Sequence, residues 1–383
     1  MSVFELNIPS RIIVGLNVVN RLPEVVQDFG DRVLLVTSET MMQNGAARRV
    51  QNLLESKSHG VILFDGVRAD AGSDVVDEGV LLARESRTNV VVGFGGTNTL
   101  NIAKAIAFIA GNDGYIADYF SGRVAHRRKV SYIEIPSTHG LCYGLLDSFF
   151  IRDADENIRR EYRSRFNFAD VVLVDPRFTL TLAPKFVIAI AIEVIAHACE
   201  AYISKASSVL TEAYIGNAIE LIYSNLKKAV VDPDNMVIRQ QLSTAAVFSS
   251  IALNSSRPGT VFALAMSLAT SLKLYRGIGA SILLPHVMEF NLTACPQKYV
   301  RLARSCGEDV HDISVVEAAI KAIEAVRKLF FDLSLPQRLK QFPEAEPDKF
   351  DDVVRDARTF DFLSVLPRSV TYDDLLSILN AAY

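Results

Sequence analysis

The feature that most limits what this chain can become is a change of texture at Ala183–Lys185. Before it, short β-branched runs alternate with amphipathic stretches. Arg32–Val36 (RVLLV), Gly60–Phe64 (GVILF), Asn89–Val92 (NVVV), Ser131–Ile135 and Val171–Val174 read as buried strands. Met41–Ser56, Asp74–Arg87 and Thr99–Ala110 read as helices. Such alternation implies a parallel sheet covered on both faces. After the change, strand signals almost vanish. Phe186–Ser204, Leu210–Val231, Ile238–Leu253, Val261–Leu274 and Val315–Leu333 carry apolar residues at helical spacing. An α/β domain is therefore expected over residues 1–183 and an all-helical domain over 184–383.

Composition supports two ordinary cores: 50% of the 383 residues are hydrophobic and 22% are charged. A net charge of -4 gives no ground for nucleic-acid or acidic-membrane binding. The basic run Arg123–Lys129 (RVAHRRK) reads as a solvated loop. Cys142, Cys199, Cys295 and Cys306 are scattered and form no CxxC pair, so a reducing cytoplasm is expected. The N-terminal MSVFELNIPSRIIVG lacks a basic segment followed by a long apolar one. Apolar stretches such as Val187–Ile192 fall short of the roughly 20 residues that cross a bilayer, so no membrane association is expected.

Two features carry chemistry. Gly95-Gly96-Thr97-Asn98 follows a buried strand and opens a helix that continues through Asn101 and Lys104. Glycines admit a phosphate close to the backbone, and the free amides of a helix N-terminus favour an anion. A plain tight βα turn is the competing reading, because the run is neither G-x-G-x-x-G nor a Walker A loop. The second feature is the helix Ala189–Tyr202, AIAIEVIAHACEAY. Glu193 and His197 stand one helical turn apart on one face, with Glu200 further along. That geometry suits metal ligation or acid–base work, and equally a core histidine with an ion-pair neighbour.

Together these residues resemble the iron-containing (group III) alcohol dehydrogenases. The family's GGGSxxDxxK turn is matched by Gly95–Lys104 (GGTNTLNIAK), and its IPTTxGTGSE loop by Ile135–Gly144 (IPSTHGLCYG). Asp175-Pro176 matches its DP before the domain boundary. Glu193–Tyr202 (EVIAHACEAY) matches its DxxxHxxEAY helix, and Leu284–Asn291 (LPHVMEFN) matches LPxVMxFN. The resemblance runs in order from Pro9 to Arg304. It implies the dehydroquinate synthase-like, iron-containing alcohol dehydrogenase fold: an α/β dinucleotide-binding domain, an all-α C-terminal domain and a cleft between them.

The departures concern the metal. The family holds Fe²⁺ or Zn²⁺ with one Asp and three His. Here the Asp position is Glu193 and the first His is His197. The HxxxH pair reads Phe262 to Met266, and the later His-Gly reads Arg276-Gly277. A guanidinium has no lone pair to offer, and a thioether is a poor partner for either ion. With vestigial positions Glu193, His197, Met266 and Arg276, no catalytic metal is expected. Arg276 supplies a fixed cation suited to an oxyanion, carboxylate or phosphate, or it pairs with Glu193 in the vacated site.

The resemblance implies a cofactor site formed by Ser38, Gly95, Gly96, Thr97, Asn98, Asn101, Thr138 and Arg159. Ser38 stands where the family has an Asp that selects NAD. Its lack of charge admits the 2′-phosphate of NADP, while Glu39 beside it keeps NAD open. Leu141-Cys142-Tyr143-Gly144 replaces TGSE and removes two hydroxyls; His139 in the same loop is an added titratable group or a surface histidine. The implied function is metal-independent, NAD(P)-dependent interconversion of an alcohol and an aldehyde or ketone. The substrate is a small polar molecule that Arg276 would suit if anionic. Arg276, His197 and Glu193 are the catalytic candidates, with His197 as proton relay. A cytoplasmic homodimer is expected. A non-catalytic nucleotide-binding homologue and a redox-neutral enzyme of the dehydroquinate-synthase-like superfamily remain the alternatives.

Overall fold

Side chains branched at Cβ hold their rotamers in extended backbone and crowd the turns of a helix, so the Val- and Ile-rich runs form strands. The structure is a computed structural model that describes residues 4–57, 59–126 and 129–383; Arg127 and Arg128 of the basic run lie outside the described residues. One compact unit spans Ile8–Thr181. Its strands are β1 (Arg11–Val14), β2 (Arg32–Ser38), β3 (Gly60–Val67), β4 (Val90–Gly95), β5 (Ser131–Pro136), β6 (Ser148–Arg152), β7 (Arg159–Arg163) and β8 (Val171–Val174). Its helices are α1 (Leu22–Gln27), α2 (Glu39–Gln43), α3 (Ala46–Glu55), α4 (Ser73–Glu85), α5 (Thr97–Ala110) and α6 (Ile116–Phe120).

Among the described residues, six strands form a parallel sheet in the order β1-β8-β5-β4-β2-β3, and β6 pairs antiparallel with β7. From β2 the chain runs outward to β3, returns past β2 to β4, and continues the other way to β5. The carboxyl ends of β2 and β4 therefore flank the point where the winding reverses, which is where open α/β sheets leave a ligand crevice. On one face, Val33, Leu35, Val90, Val92, Ile133 and Ile135 pack with Val25 and Val26 of α1 and Val50 and Leu54 of α3. On the other, α5 lies so close that a Cβ on Gly93 would meet that of Ala103 at 2.7 Å.

Several local expectations change. Met41–Ser56 is not one helix: Gly45 takes a left-handed backbone (φ +77°) between α2 and α3, and the Asn44 side chain accepts the first amide of α3. Strands β1, β6 and β7 are additional, each only four or five residues long. Of the basic run, Arg123 is exposed, whereas Lys129 is mostly buried and paired with Asp170.

The second unit comprises Leu182–Tyr383 together with the residues up to Asn7. The chain thus divides at Thr181/Leu182, two residues before the expected boundary. Phe4–Asn7 join the helical unit rather than the sheet, and Asn254 donates to the Asn7 carbonyl. The helices are α7 (Pro184–Ile203), α8 (Val209–Val231), α9 (Met236–Ser256), α10 (Thr260–Ser271), α11 (Arg276–Asn291), α12 (Pro296–Ser305), α13 (Val315–Asp332), α14 (Phe350–Ala357) and α15 (Tyr372–Ala382). Pro184 opens α7, where its missing N–H costs nothing. By length and composition α7 could cross a membrane, contrary to the expectation that no apolar stretch reaches that length; 89% of its apolar stretch is buried inside the protein.

Helix α7 also caps a neighbour. The Glu200 carboxylate accepts the backbone N–H groups of Val261 at 2.5 Å and Phe262 at 3.0 Å, at the start of α10. Burial pushes its pKa up from 4.5 to about 8, against the pull of those amides. The carboxyl's stabilising contribution is complete below pH 4.5 and is lost as pH rises through about 8. Glu200→Gln cannot ionise. The parent chain should lose urea midpoint between about pH 5 and about pH 9, and the Gln variant should flatten that fall. Glu200→Ala leaves two amides unsatisfied and should lose about 2–3 kcal/mol. An unchanged pH dependence in the Gln variant would show that the carboxyl does not titrate across this range.

Candidate functional site

The strand ends of the α/β unit bring most of the expected cofactor residues together. Ser38 closes β2, Gly95 closes β4, and Thr138 follows β5, so they stand at the carboxyl ends of neighbouring strands. The two glycines do different jobs. A Cβ on Gly95 would meet the Thr99 side chain at 2.7 Å, so packing alone requires that glycine. Gly96 has an ordinary extended backbone, and a Cβ there would meet only Thr138 Cγ2, at 3.8 Å. Among the described residues, no other atom lies within van der Waals reach of that Cβ. Thr97 begins α5, whose first turn holds no acidic residue. First-turn amides have no acceptor within their own helix, so this open cradle fits a pyrophosphate.

Other expected cofactor residues are committed to the fold. The Asn98 amide donates to the carbonyl of Arg68 at 3.1 Å and pins the segment before α4. Asn101 is 1% exposed. Its Oδ1 accepts Phe150 N–H at 2.8 Å and its Nδ2 donates to the Thr97 carbonyl at 2.9 Å, so Asn101 ties α5 to β6 rather than facing a ligand. Arg159 lies in the β6–β7 pair and donates to the Phe150 carbonyl at 3.1 Å. His139 is buried, not a surface histidine.

In the helical unit, the residues at the former metal positions converge. A Cβ on Gly277 would stand 2.1 Å from the Ala189 carbonyl oxygen, so this glycine lets the start of α11 rest against α7. Arg276 is thereby carried onto the face of α7 that presents Glu193 and His197. Its Nη2 lies 3.1 Å from Glu193 Oε1, and its Nη1 donates to Met266 Sδ at 3.2 Å. His197 Nε2 is 3.7 Å from the same carboxylate oxygen. The imidazole packs on Phe262, with ring centroids 4.6 Å apart, and Phe262 meets Phe362, which stacks on Phe360.

These contacts fix the charges. Burial works to raise the Glu193 pKa but is outweighed by the Arg276 guanidinium and by His197, so the carboxyl is held below its usual value. Burial depresses the His197 pKa, and Arg276 adds to this against the opposing pull of Glu193. The cluster is a carboxylate–guanidinium pair beside a neutral imidazole. Its donor set does not fit a dication: Glu193 and His197 are the two strong ligands, and the guanidinium stands among them. Among the described residues, no group of three or more His, Cys, Asp and Glu side chains is arranged to hold a metal.

Sequence reading missed the Gly277–Ala189 approach, the Phe262–Phe362–Phe360 wall, and Glu134 with its neighbours in the α/β unit. A carboxylate within the otherwise uncharged strand β5 (Ser131–Pro136) was the available signal for the last.

Comparison with known proteins follows the same division. The description "Iron-containing alcohol dehydrogenase" matches residues 9–176, and "Fe-containing alcohol dehydrogenase family, C-terminal" matches 187–383. The chain is similar to 1,3-propanediol dehydrogenase of Klebsiella pneumoniae, at 27% identity over 90% of each chain. It is also similar to NAD-dependent methanol dehydrogenase of Bacillus methanolicus, at 25% identity over 98% of each. The crystal structure of a 1,3-propanediol oxidoreductase superposes with a TM-score of 0.95 at 26% identity, covering 100% of both chains. With both halves matched and the fold shared throughout, the chain belongs to the iron-containing alcohol dehydrogenase family.

Proposed function

We propose that this chain interconverts a small alcohol and its aldehyde or ketone with NAD or NADP, and that Arg276 holds the substrate oxygen in place of a metal. The observation that carries this reading is the guanidinium seated between Glu193 and Met266. A bound nicotinamide supplies the hydride to the carbonyl carbon, or accepts it in reverse. Arg276 directs N–H donors at the oxygen, where negative charge develops during reduction. Glu193 orients the guanidinium and balances its charge. His197, kept neutral by burial, is set to take the hydroxyl proton during oxidation and, once protonated, to return it during reduction. The Phe262 side of the imidazole keeps water from it. Arg276 also suits a substrate bearing an anionic group.

Gly96 tests the cofactor half. Because its backbone is ordinary and the space above it open, Gly96→Ala should leave the melting temperature unchanged. It should weaken NADH or NADPH binding about tenfold, the effect of about 1.4 kcal/mol. Fluorescence titration measures it; undiminished affinity would place the phosphates elsewhere. Ser38→Asp should shift the preference toward NADH.

Arg276 tests the catalytic half. Arg276→Ala should lower kcat by about 10²–10³ while dinucleotide affinity holds, and Arg276→Lys should recover only part of the loss. Removing the cation also leaves the buried Glu193 without its counter-charge, at about 3–5 kcal/mol. Arg276→Ala with Glu193→Gln should therefore regain stability without regaining turnover. If turnover returns with stability, the pair is structural only. Arg276→His with Met266→His should gain zinc affinity in a chelator competition, since it restores imidazoles beside His197 and Glu193.

A further inference from the structure

We propose that Glu134 is a positioning residue of the nucleotide-binding unit: its carboxylate takes the place of the glutamate that ends the family's IPTTxGTGSE loop. With Lys104 it fixes the segment after β5 on the helix that carries the glycine turn. The inference rests on the reading that this turn binds the dinucleotide.

Glu134 sits within the parallel sheet, paired with Gly93 of β4 and Val172 of β8. A carboxylate there is fully buried, and nothing in strand formation calls for it. Tyr132 and Glu134 share the sheet face that α5 covers, and the Tyr132 hydroxyl donates to Glu134 Oε2 at 3.1 Å. The Gly144 N–H donates to the same carboxylate.

The family's loop ends in glutamate at the position that is Gly144 here. A Cβ built on Gly144 would stand 3.1 Å from both Glu134 Cδ and Oε2, and 2.7 Å from the Cβ of Ala169. A glutamate at 144 and one at 134 therefore compete for the same volume. The chain has moved the carboxylate from the loop to the strand beneath it and emptied the loop position to make room.

Lys104 gives the carboxylate its purpose. The ammonium is fully buried, and Nζ donates to the carbonyls of Tyr143, Leu146 and Ser148 at 2.6, 2.7 and 2.8 Å. Three acceptors need three N–H groups; an ammonium has them and a neutral amine does not. Burial pulls the Lys104 pKa down to about 7, and the attraction of Glu134, then of Asp147, works to keep the charge. Burial likewise lifts the Glu134 pKa to about 7, against Gly144 and Lys104. Lys104 and Asn101 lie on the α5 face that begins at Thr97, so one helix face holds both the 143–150 segment and the first turn at Gly96. The chain enters this segment from Thr138, whose Cγ2 is the nearest atom to a Cβ built on Gly96. Loosening it changes the wall of the phosphate cradle.

The test compares Glu134→Gln, Glu134→Ala, and an exchange variant combining Glu134→Ala, Gly144→Glu and Ala169→Gly, the last change relieving the contact with Ala169. Each full-length protein is titrated with NADH and NADPH, melted, and assayed for kcat and KM. Glu134→Ala should raise the dinucleotide Kd and KM about tenfold with a smaller change in kcat, and Glu134→Gln should fall between it and the parent. The exchange variant should bind within about threefold of the parent. Folded exchange protein that binds as weakly as Glu134→Ala overturns the proposal, as does Glu134→Gln with parental Kd and KM. If Glu134→Ala does not fold, the Gln and exchange variants decide alone. If the parent binds neither nucleotide, the reading of the glycine turn fails; recovery of the melting temperature in the exchange variant then still decides where the carboxylate belongs.

Discussion

A guanidinium keeps its charge at any pH a protein survives, so an Arg276 carried into a helical interior must meet its counter-charge there. Glu193 meets it at 3.1 Å, across two helices whose separation is set by the missing side chain of Gly277. The rest of the cluster follows from this pair. The carboxylate is kept ionised by its cation, and the imidazole is kept neutral by burial and by the same cation. The thioether of Met266 accepts a donor where an imidazole nitrogen would have offered a lone pair to a metal. Arg276 or Glu193 changed alone would take from the other its buried counter-charge.

A metal and a guanidinium are both positive, but they treat a substrate oxygen differently. A metal accepts a lone pair and exchanges ligands; a guanidinium points fixed N–H groups and cannot be displaced from its own side chain. In this alcohol dehydrogenase of the iron-containing family, Glu193, Met266 and Arg276 depart from the family pattern at its metal positions. In the α/β unit, the Glu134 carboxylate lies beside Gly144, the position where the family's loop ends in glutamate.

Much of the fold could be read in the chain because its causes are local. Val33–Val36, Val90–Val92 and Val171–Val174 are strands because of what each residue is, and the face shared by Glu193 and His197 follows from helical period. The failures have equally local causes. One glycine in a left-handed conformation split Met41–Ser56, and Pro285 within α11 masked a helix that nevertheless forms. The short, half-buried strands β1 (RIIV) and β7 (RREYR) lack the apolar alternation that marks such a strand. Asn101 and Arg159 carried the right chemistry for a cofactor, but the sequence did not show that Phe150 would claim both.

Motif and periodicity by themselves determined the family, the order of an α/β half before a helical half, and the residue types at the former metal positions. They could do so because side-chain identity, helical spacing and strand propensity are properties of neighbours in the chain. Only tertiary structure decided that Arg276 lies on Glu193 and that Gly96, unlike Gly95, faces open space. It also decided that Glu134 fills the volume a side chain at Gly144 would need. Each is a distance between residues apart in sequence, set by how closely two backbones can approach, and close packing fixes that only once every side chain between them has been placed.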